Sequence, residues 1–447
     1  MGAGTWRGCS LTWREAVEPV RMDRVAVVAP TDRLADVLVA VAEAGATQLE
    51  RVAPGASLEE AETAAVRHDA VCALVGWSPH SEVGPLRDRL APLGGAVAHL
   101  SPPRGIDPPT LVDTSGPTGA IQPLADTYAT VPYADLNPVL FAGPVYVVMF
   151  GMMFGDVGHC ALLAAGGLLL MTGRPRALAR FAHLAPFVVA AGLAAMLFGL
   201  AYGEAFGPTH LVPTLWISPL DHPTTLLAVG IAVGASLLAV AYGIGSVNRW
   251  REGGAARAFV ETSGLAGAFL YLGLGLLALG WYRHLAVVLG IGGLLAASGI
   301  TFGFLGCYAH AGRVVPAVIE LFDSVLRMGT NTVSFARLAA FGLTHAALEQ
   351  VVWSGTDGLW HRGAAFWVAA VVLFVIGNAM AFALEGLVAG IQALRLEYYE
   401  LFSRIFVSEG RPFRPWRSRA ANVPSSSLPS VPLGTLELPK EAPCSPG

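Results

Sequence analysis

Residues 331–352 read NTVSFARLAAFGLTHAALEQVV, and two of them do not suit the apolar run around them. Arg337 keeps its proton at any accessible pH, and an Arg at the centre of a membrane helix costs roughly 2.5–3.5 kcal/mol on insertion scales. His345, two turns further on, titrates near neutrality. A fixed cation near a titratable ring is suited to handling protons or small cations, provided the segment crosses a bilayer.

A second segment carries the same theme. Asn378, Glu385 and Gln392 are spaced by seven, which places them on one face of a helix that Arg395 and Tyr399 extend. Polar groups along a membrane helix each offer a binding site or a hydrogen bond to water, so such a face can carry protons or ions. On one continuous helix, Asp323, Thr330, Ser334, Phe341, Thr344 and Leu348 fall within about 60° of Arg337, with Arg327 and His345 at about 80°. Glu320 precedes them, at the expected membrane boundary.

Each group also has a purely structural reading. Arg337 can pair with Glu385 across two packed helices, and His345 can be a satisfied interior histidine. Asp323 and Arg327 sit at i and i+4, the spacing of an interfacial ion pair, which is the favoured reading. Asp156 and His159 in FGDVGH lie at an interhelical turn, where capping suits Asp156. Glu204, in LAYGEAFG, ends a span and reads as interfacial.

The composition supports the membrane setting. Of 447 residues, 54% are hydrophobic and 13% charged, where soluble domains run near a quarter charged. A net charge of -4 argues for no nucleic-acid partner. Five cysteines scatter without a CxxC or a Cys/His cluster, so neither a disulfide framework nor a zinc site is expected, and no metal ligands are assigned. No GxxxxGK[ST] occurs, so ATP is not expected to bind this chain through a P-loop. No cofactor is implied.

Along the chain, VAVVA, then an amphipathic helix with Leu34, Val37, Leu38 and Val41 on one face, then a helix around 57–68, the strand AVCALVGWSP, a further helix and a third strand describe a small α/β unit. The expected boundaries are an N-terminal extension at 1–21, a cytoplasmic α/β domain at 22–125 and a linker at 126–137. A transmembrane domain follows at 138–416, with a disordered Pro/Ser-rich tail at 417–447. The transmembrane domain holds eight hydrophobic segments, at 138–155, 157–172, 181–205, 223–247, 260–282, 285–309, 314–355 and 363–408. The last two exceed bilayer thickness and are expected to tilt. Arginines cluster after segments two, four, six and eight, so the positive-inside tendency places both termini in the cytoplasm. The fold expected is mostly α and polytopic, with about eight transmembrane helices and the N-terminal α/β domain.

PVYVVMFGMMFGDVGHC, FGLAYGEAFG, SFARLAAFGLTHAAL and LEGLVAGIQALRLEYYELFSRIFVSEGRPFRPW, in that order, resemble the membrane motifs of the a/I subunit of V-type and A/V-type rotary ATPases. MDRVAVVAP and ALVGWSP resemble parts of that family's cytoplasmic domain. The resemblance implies a stator subunit beside a rotating ring of proteolipid c subunits, with peripheral and central stalk subunits as further partners and protons or sodium ions as cargo. Arg337 falls on the family's ring-facing Arg, which draws the proton from each ring carboxylate and separates two half-channels. Glu385 falls on a half-channel Glu, with His345, Ser334 and Arg395 on neighbouring positions. Glu320 matches a further half-channel Glu at a different distance from Arg337 than in eukaryotic members. Gln392 stands where those members carry a His. Family members have two globular lobes joined by a helical hairpin; residues 22–125 leave room for one, which implies a simplified stator in, by expectation, a bacterial plasma membrane. Two rivals remain at this point. A secondary transporter of a small solute calls for internal repeats, which the sequence lacks, and a non-translocating assembly scaffold has no need of Arg337 or Glu385.

Overall fold

The computed structural model describes residues 18–103, 106–112, 131–137, 139–174, 176–209, 211–261, 263–405 and 410–417. The expected extension through residue 17, the linker through residue 130 and the tail from residue 418 lie outside the described residues. Two compact units are present, the first built from the described residues of Arg21–Pro108 with Phe413–Arg417 and the second from those of Pro109–Pro412 with 18–20.

The smaller unit is an α/β sheet domain. Strand β1 (Met22–Pro30) pairs antiparallel with β4 (Val71–Pro79) on one side and β5 (Ala96–Leu100) on the other. Strands β2 (Gln48–Leu49) and β3 (Val66–His68) both add to β4. Three of these strands are legible in the sequence; β2 and β3 have two and three residues, too few to show an alternating pattern. Helix α1 (Leu34–Ala44) buries Leu34, Val37, Leu38, Val41 and Ala42, the single stripe its spacing dictates. Helix α2 (Leu58–Ala64) starts in a reciprocal capping box between Ser57 and Glu60, and α3 (His80–Leu90) buries Leu86 and Leu90. The C-terminal Trp416 is fully buried in this core, and its indole N–H donates to the Ala56 carbonyl at 3.2 Å.

The larger unit is helical. Its elements are α4 (Val139–Met153), α5 (Val157–Met171), a 3-10 segment (Arg176–Leu184), α6 (Ala185–Tyr202) and α7 (Pro223–Val260). They continue with α8 (Leu265–Arg283), α9 (Ala286–Ala311), α10 (Val314–Ser334), α11 (Ala336–Trp360) and α12 (Trp367–Leu396). A π-helical turn (Glu397–Phe402) and α13 (Ser403–Ile405) close it. Among the described residues, five stretches are long and apolar enough to cross a membrane: Phe181–Tyr202, Pro223–Ala255, Leu265–Arg283, Ala286–Ala311 and Ala364–Ile405. Helices α4 and α5 are apolar but shorter, with 15 residues each.

The helices are apolar outside, and some meet through small residues. Leu197, Val287, Leu294 and Val368 are 68–76% exposed, while the buried face of α6 is Ala185, Ala191, Gly192, Ala195 and Gly199, with Tyr202 at its end. Lipid is as apolar as leucine, so helices in it gain by bringing backbones close through small residues rather than by hiding large ones. The chain is a multi-pass membrane protein.

The seventh hydrophobic segment is two helices rather than one. At Phe335, the residue between α10 and α11, the N–H donates back to the Thr332 carbonyl and the carbonyl accepts from Leu338, both three-residue steps that tighten the chain. The Phe335 ring is fully buried against Gly234 of α7. Arg337 therefore stands in the first turn of a new helix, and the angles drawn on one continuous helix do not carry across the junction.

Candidate ion-translocation site

The FGDVGH turn between α4 and α5 is the first wall of the site. Asp156 is the N-cap of α5; its carboxylate Oδ1 accepts from the His159 backbone N–H at 2.6 Å. Its Oδ2 accepts from the Gly207 N–H at 3.4 Å. That second bond needs the loop after α6 to turn back, and Gly207 does so at φ +89, a left-handed conformation that favours glycine. The loop and α5 are thereby locked together, with Asp156 fully buried between them.

Helix α11 supplies the second wall. His345 and Glu349 are one turn apart and both point inward, 2% exposed each. Glu349 Oε1 lies 2.8 Å from His159 Nδ1 and 3.2 Å from His345 Nε2. Helix α12 adds Glu385, whose carboxylate meets His345 Nδ1. Glu204, after α6, is 7% exposed and lies within electrostatic reach of Glu349, His345, Asp156 and Glu385. Four carboxylates and two imidazoles thus share one buried pocket, and the ring of Phe154 covers it, 5.0 Å from His345 and 6.0 Å from His159. Such a pocket attracts cations and can pass a proton between imidazole and carboxylate over the short distances present.

Arg337 is half-buried, two turns before His345. Among the described residues its side chain makes no ion pair, and its Nη1 is buried without a hydrogen-bond partner. Glu385 is held by His345, not by Arg337. Gln392 is half-buried with Oε1 unpartnered, whereas Arg395 is exposed. Ser334 ends α10 and is half-buried; Glu320 lies on the exposed side of α10. Asp323 and Arg327 form an ion pair at 2.7 Å with both side chains more than half exposed.

The geometry brings four further residues to those the sequence singled out as a pathway: Asp156 and Glu204, read there as a cap and an interfacial acid, together with Glu349 and His159. Glu349 carried one signal, its i,i+4 spacing from His345, but it sits near the end of an apolar run where acids are common. His159 carried a turn motif only. Both matter because the first turn of α5 and the middle of α11 bring His159 and Glu349 to within 2.8 Å of each other, which no local pattern reveals.

The chain spans about half the length of the curated relatives it matches. It is 27% identical to an A-type ATP synthase subunit I of Halobacterium salinarum over 377 aligned residues, covering 69% of this chain and 51% of that protein. With the A-type ATP synthase subunit I of Pyrococcus horikoshii it shares 24% over 371 residues, 79% of this chain and 55% of the relative. With that of Archaeoglobus fulgidus it shares 24% over 400 residues, 77% of this chain and 58% of the relative. Residues 67–229 and 311–418 match the V-type ATPase 116kDa subunit family. Those two stretches take in both walls of the pocket, the FGDVGH turn and the helices carrying Arg337, His345, Glu349 and Glu385, and more than half of the sequence; the chain belongs to the V-type ATPase 116kDa subunit family.

Proposed function

We propose that this chain is a stator subunit of a rotary A/V-type ATPase membrane sector and carries protons between solvent and a rotating ring of proteolipid subunits. The observation that supports it best is the contrast between Arg337 and its surroundings. A cation in the first turn of α11, inside an apolar run, has no ion-pair partner among the described residues, so its countercharge is supplied from outside the chain, as a ring carboxylate would do. Arg337 draws the proton from that carboxylate as it passes, and its fixed charge keeps ions from slipping directly between the two half-channels.

The buried pocket forms one half-channel. A proton reaching His159 passes to Glu349, then to His345 and then to Glu385, each transfer being between groups in contact. Imidazoles in the path favour protons, since a hard cation such as sodium prefers oxygen ligands throughout. Gln392, on the same helix as Glu385, hydrogen-bonds to water farther along. We place both termini in the cytoplasm, on the strength of the arginine-rich loops, and assign eight crossings with α4 and α5 among them and α10–α11 as a broken seventh. ATP turnover belongs to other subunits, and the peripheral and central stalk subunits are partners of this chain.

The test is ATP-driven acidification of vesicles that hold the whole complex, native or Arg337→Ala, at matched assembly. Loss of pumping from the intact complex is expected. Unchanged pumping would make Arg337 structural and overturn the proposal.

A further inference from the structure

We infer that Asp156, His159, His345 and Glu349 form a binding site for a divalent transition-metal ion of the zinc type, and that the bound ion stops proton passage through this chain. The four residues each turn one ligand atom inward, and these atoms all lie within 4.8 Å of one another. All four side chains are at least 97% buried. Neighbouring pairs stand 3.5 Å (Asp156 Oδ1 to His159 Nδ1), 2.8 Å (His159 Nδ1 to Glu349 Oε1) and 3.2 Å (Glu349 Oε1 to His345 Nε2) apart. With metal–ligand bonds of about 2.0–2.2 Å, tetrahedral ligands sit about 3.3–3.6 Å from each other. One of the three observed edges falls in that range and two fall below it, and a swing of one carboxylate by about an ångström closes the rest.

Orientation supports the same reading. The close approaches among these groups are not aligned as hydrogen bonds, so both ring nitrogens of His159, His345 Nε2 and both oxygens of Glu349 are buried without one. Lone pairs in such a place converge on a point rather than on one another's hydrogens. His345 also has what a metal-bound imidazole needs behind it. Its Nδ1 meets the Glu385 carboxylate, which fixes the tautomer and leaves Nε2 as the free donor atom, the carboxylate–histidine–metal arrangement. His159 is wedged by Phe206 at 5.3 Å and Phe382 at 5.8 Å, which hold its ring in place.

The ligand set defines the ion. Two neutral imidazoles with two carboxylates balance a charge of two and suit zinc-like ions, whereas magnesium and calcium prefer oxygen throughout. The blocking part of the inference rests on the half-channel reading above, because an ion held by His159, His345 and Glu349 occupies the lone pairs through which protons would pass.

The experiment separates the two parts. Zinc binding to the purified full-length chain in detergent is measured by titration, with X-ray absorption to identify donor atoms. One zinc per chain with nitrogen and oxygen donors, and without displacement by excess magnesium, is expected. His159→Ala and Glu349→Gln should each weaken it at least about tenfold, and Glu385→Gln about 10- to 100-fold through His345. Glu349→Gln keeps side-chain volume, so it stands if His159→Ala fails to fold. No stoichiometric binding, or equal binding by native chain and Glu349→Gln, would overturn the site. A second arm measures proton flow through the native complex in vesicles with zinc and after chelation. Reversible block supports the inference; zinc bound by these residues with flow undiminished leaves the metal site standing and removes the pocket from the proton path.

Discussion

His345 on α11 and Glu385 on α12 meet side chain to side chain inside a bundle whose core is largely apolar. His345 is 3% and Glu385 15% exposed at the side chain, so each is the other's main replacement for water. Removing one partner of such a pair strands the other, at a cost of about 3–5 kcal/mol. His345→Ala should therefore lower the unfolding free energy of the micelle-solubilised chain by about 3 kcal/mol. Glu385→Ala added to it should cost much less than alone, with a coupling of about 1–3 kcal/mol. Strict additivity of the two substitutions in SDS-induced unfolding would show that the contact is not energetically shared.

Arg337, His345 and Glu385 stood out in the sequence because ionisable groups inside apolar runs are expensive wherever they occur, so their presence alone is informative. Asp156 was legible as a cap because Asx residues before helices satisfy free N–H groups locally. What was not legible came from packing between distant segments. Glu204 read as interfacial, yet it shares the pocket of Glu349 and His345 because Gly203 and Gly207 fold the loop after α6 back on itself. The pairing of Arg337 with Glu385, open on sequence grounds, does not occur, since Glu385 is taken by His345. The break at Phe335 left no trace either. SFARLAAF has no Gly or Pro, and its helical periodicity runs through a junction made by a buried ring pressed on Gly234.

The isolation of Arg337 leads to a separation of stability from transport. A half-buried side chain without an ion pair among the described residues contributes little to the fold, so Arg337→Ala should change the unfolding free energy by less than about 1 kcal/mol. Pumping should be lost all the same. Arg337→Lys should not restore it fully, because an ammonium can release its proton in an apolar setting and lacks the planar fork of the guanidinium. The pair of assays is unfolding in micelles and acidification by reconstituted vesicles; loss of stability in step with loss of pumping would point to a structural Arg.

Trp416 anchors residues 413–417 in the α/β unit. It is fully buried, its backbone N–H donates to the Thr47 carbonyl at 2.9 Å, and its indole caps Ala56. Truncation of a buried aromatic side chain typically costs about 3–5 kcal/mol. Trp416→Ala should expose the α/β unit to protease while leaving the membrane helices protected. Time courses of limited trypsin digestion of the full-length protein in micelles test this, and unchanged digestion of residues 22–100 would show that the tryptophan is not needed there.

Asp135, just before α4, provides a pH signature outside the membrane-spanning segments. It is fully buried, with Arg249 Nη2 3.9 Å away, while Arg249 Nη1 is taken by Glu252 at 2.7 Å. Burial first, and then the neighbouring Glu252 carboxylate, push the Asp135 carboxyl from its ordinary 3.8 up to about 8, against the weaker pull of Arg249. A carboxyl with a raised folded value holds its proton more tightly in the native state than in the unfolded one. Its contribution is therefore complete below about pH 4 and is lost as pH rises toward about 8, with a slope of at most about 1.4 kcal/mol per pH unit. Thermal unfolding of the solubilised chain should accordingly occur at falling temperature between about pH 5 and about pH 8, and Asp135→Asn, which stays neutral, should flatten that trend. An identical pH profile for native and Asp135→Asn proteins would assign the slope to other groups. The expected flattening would identify a protonated Asp135 as the form that lets Arg249 commit its charge to Glu252 at the head of the helical bundle.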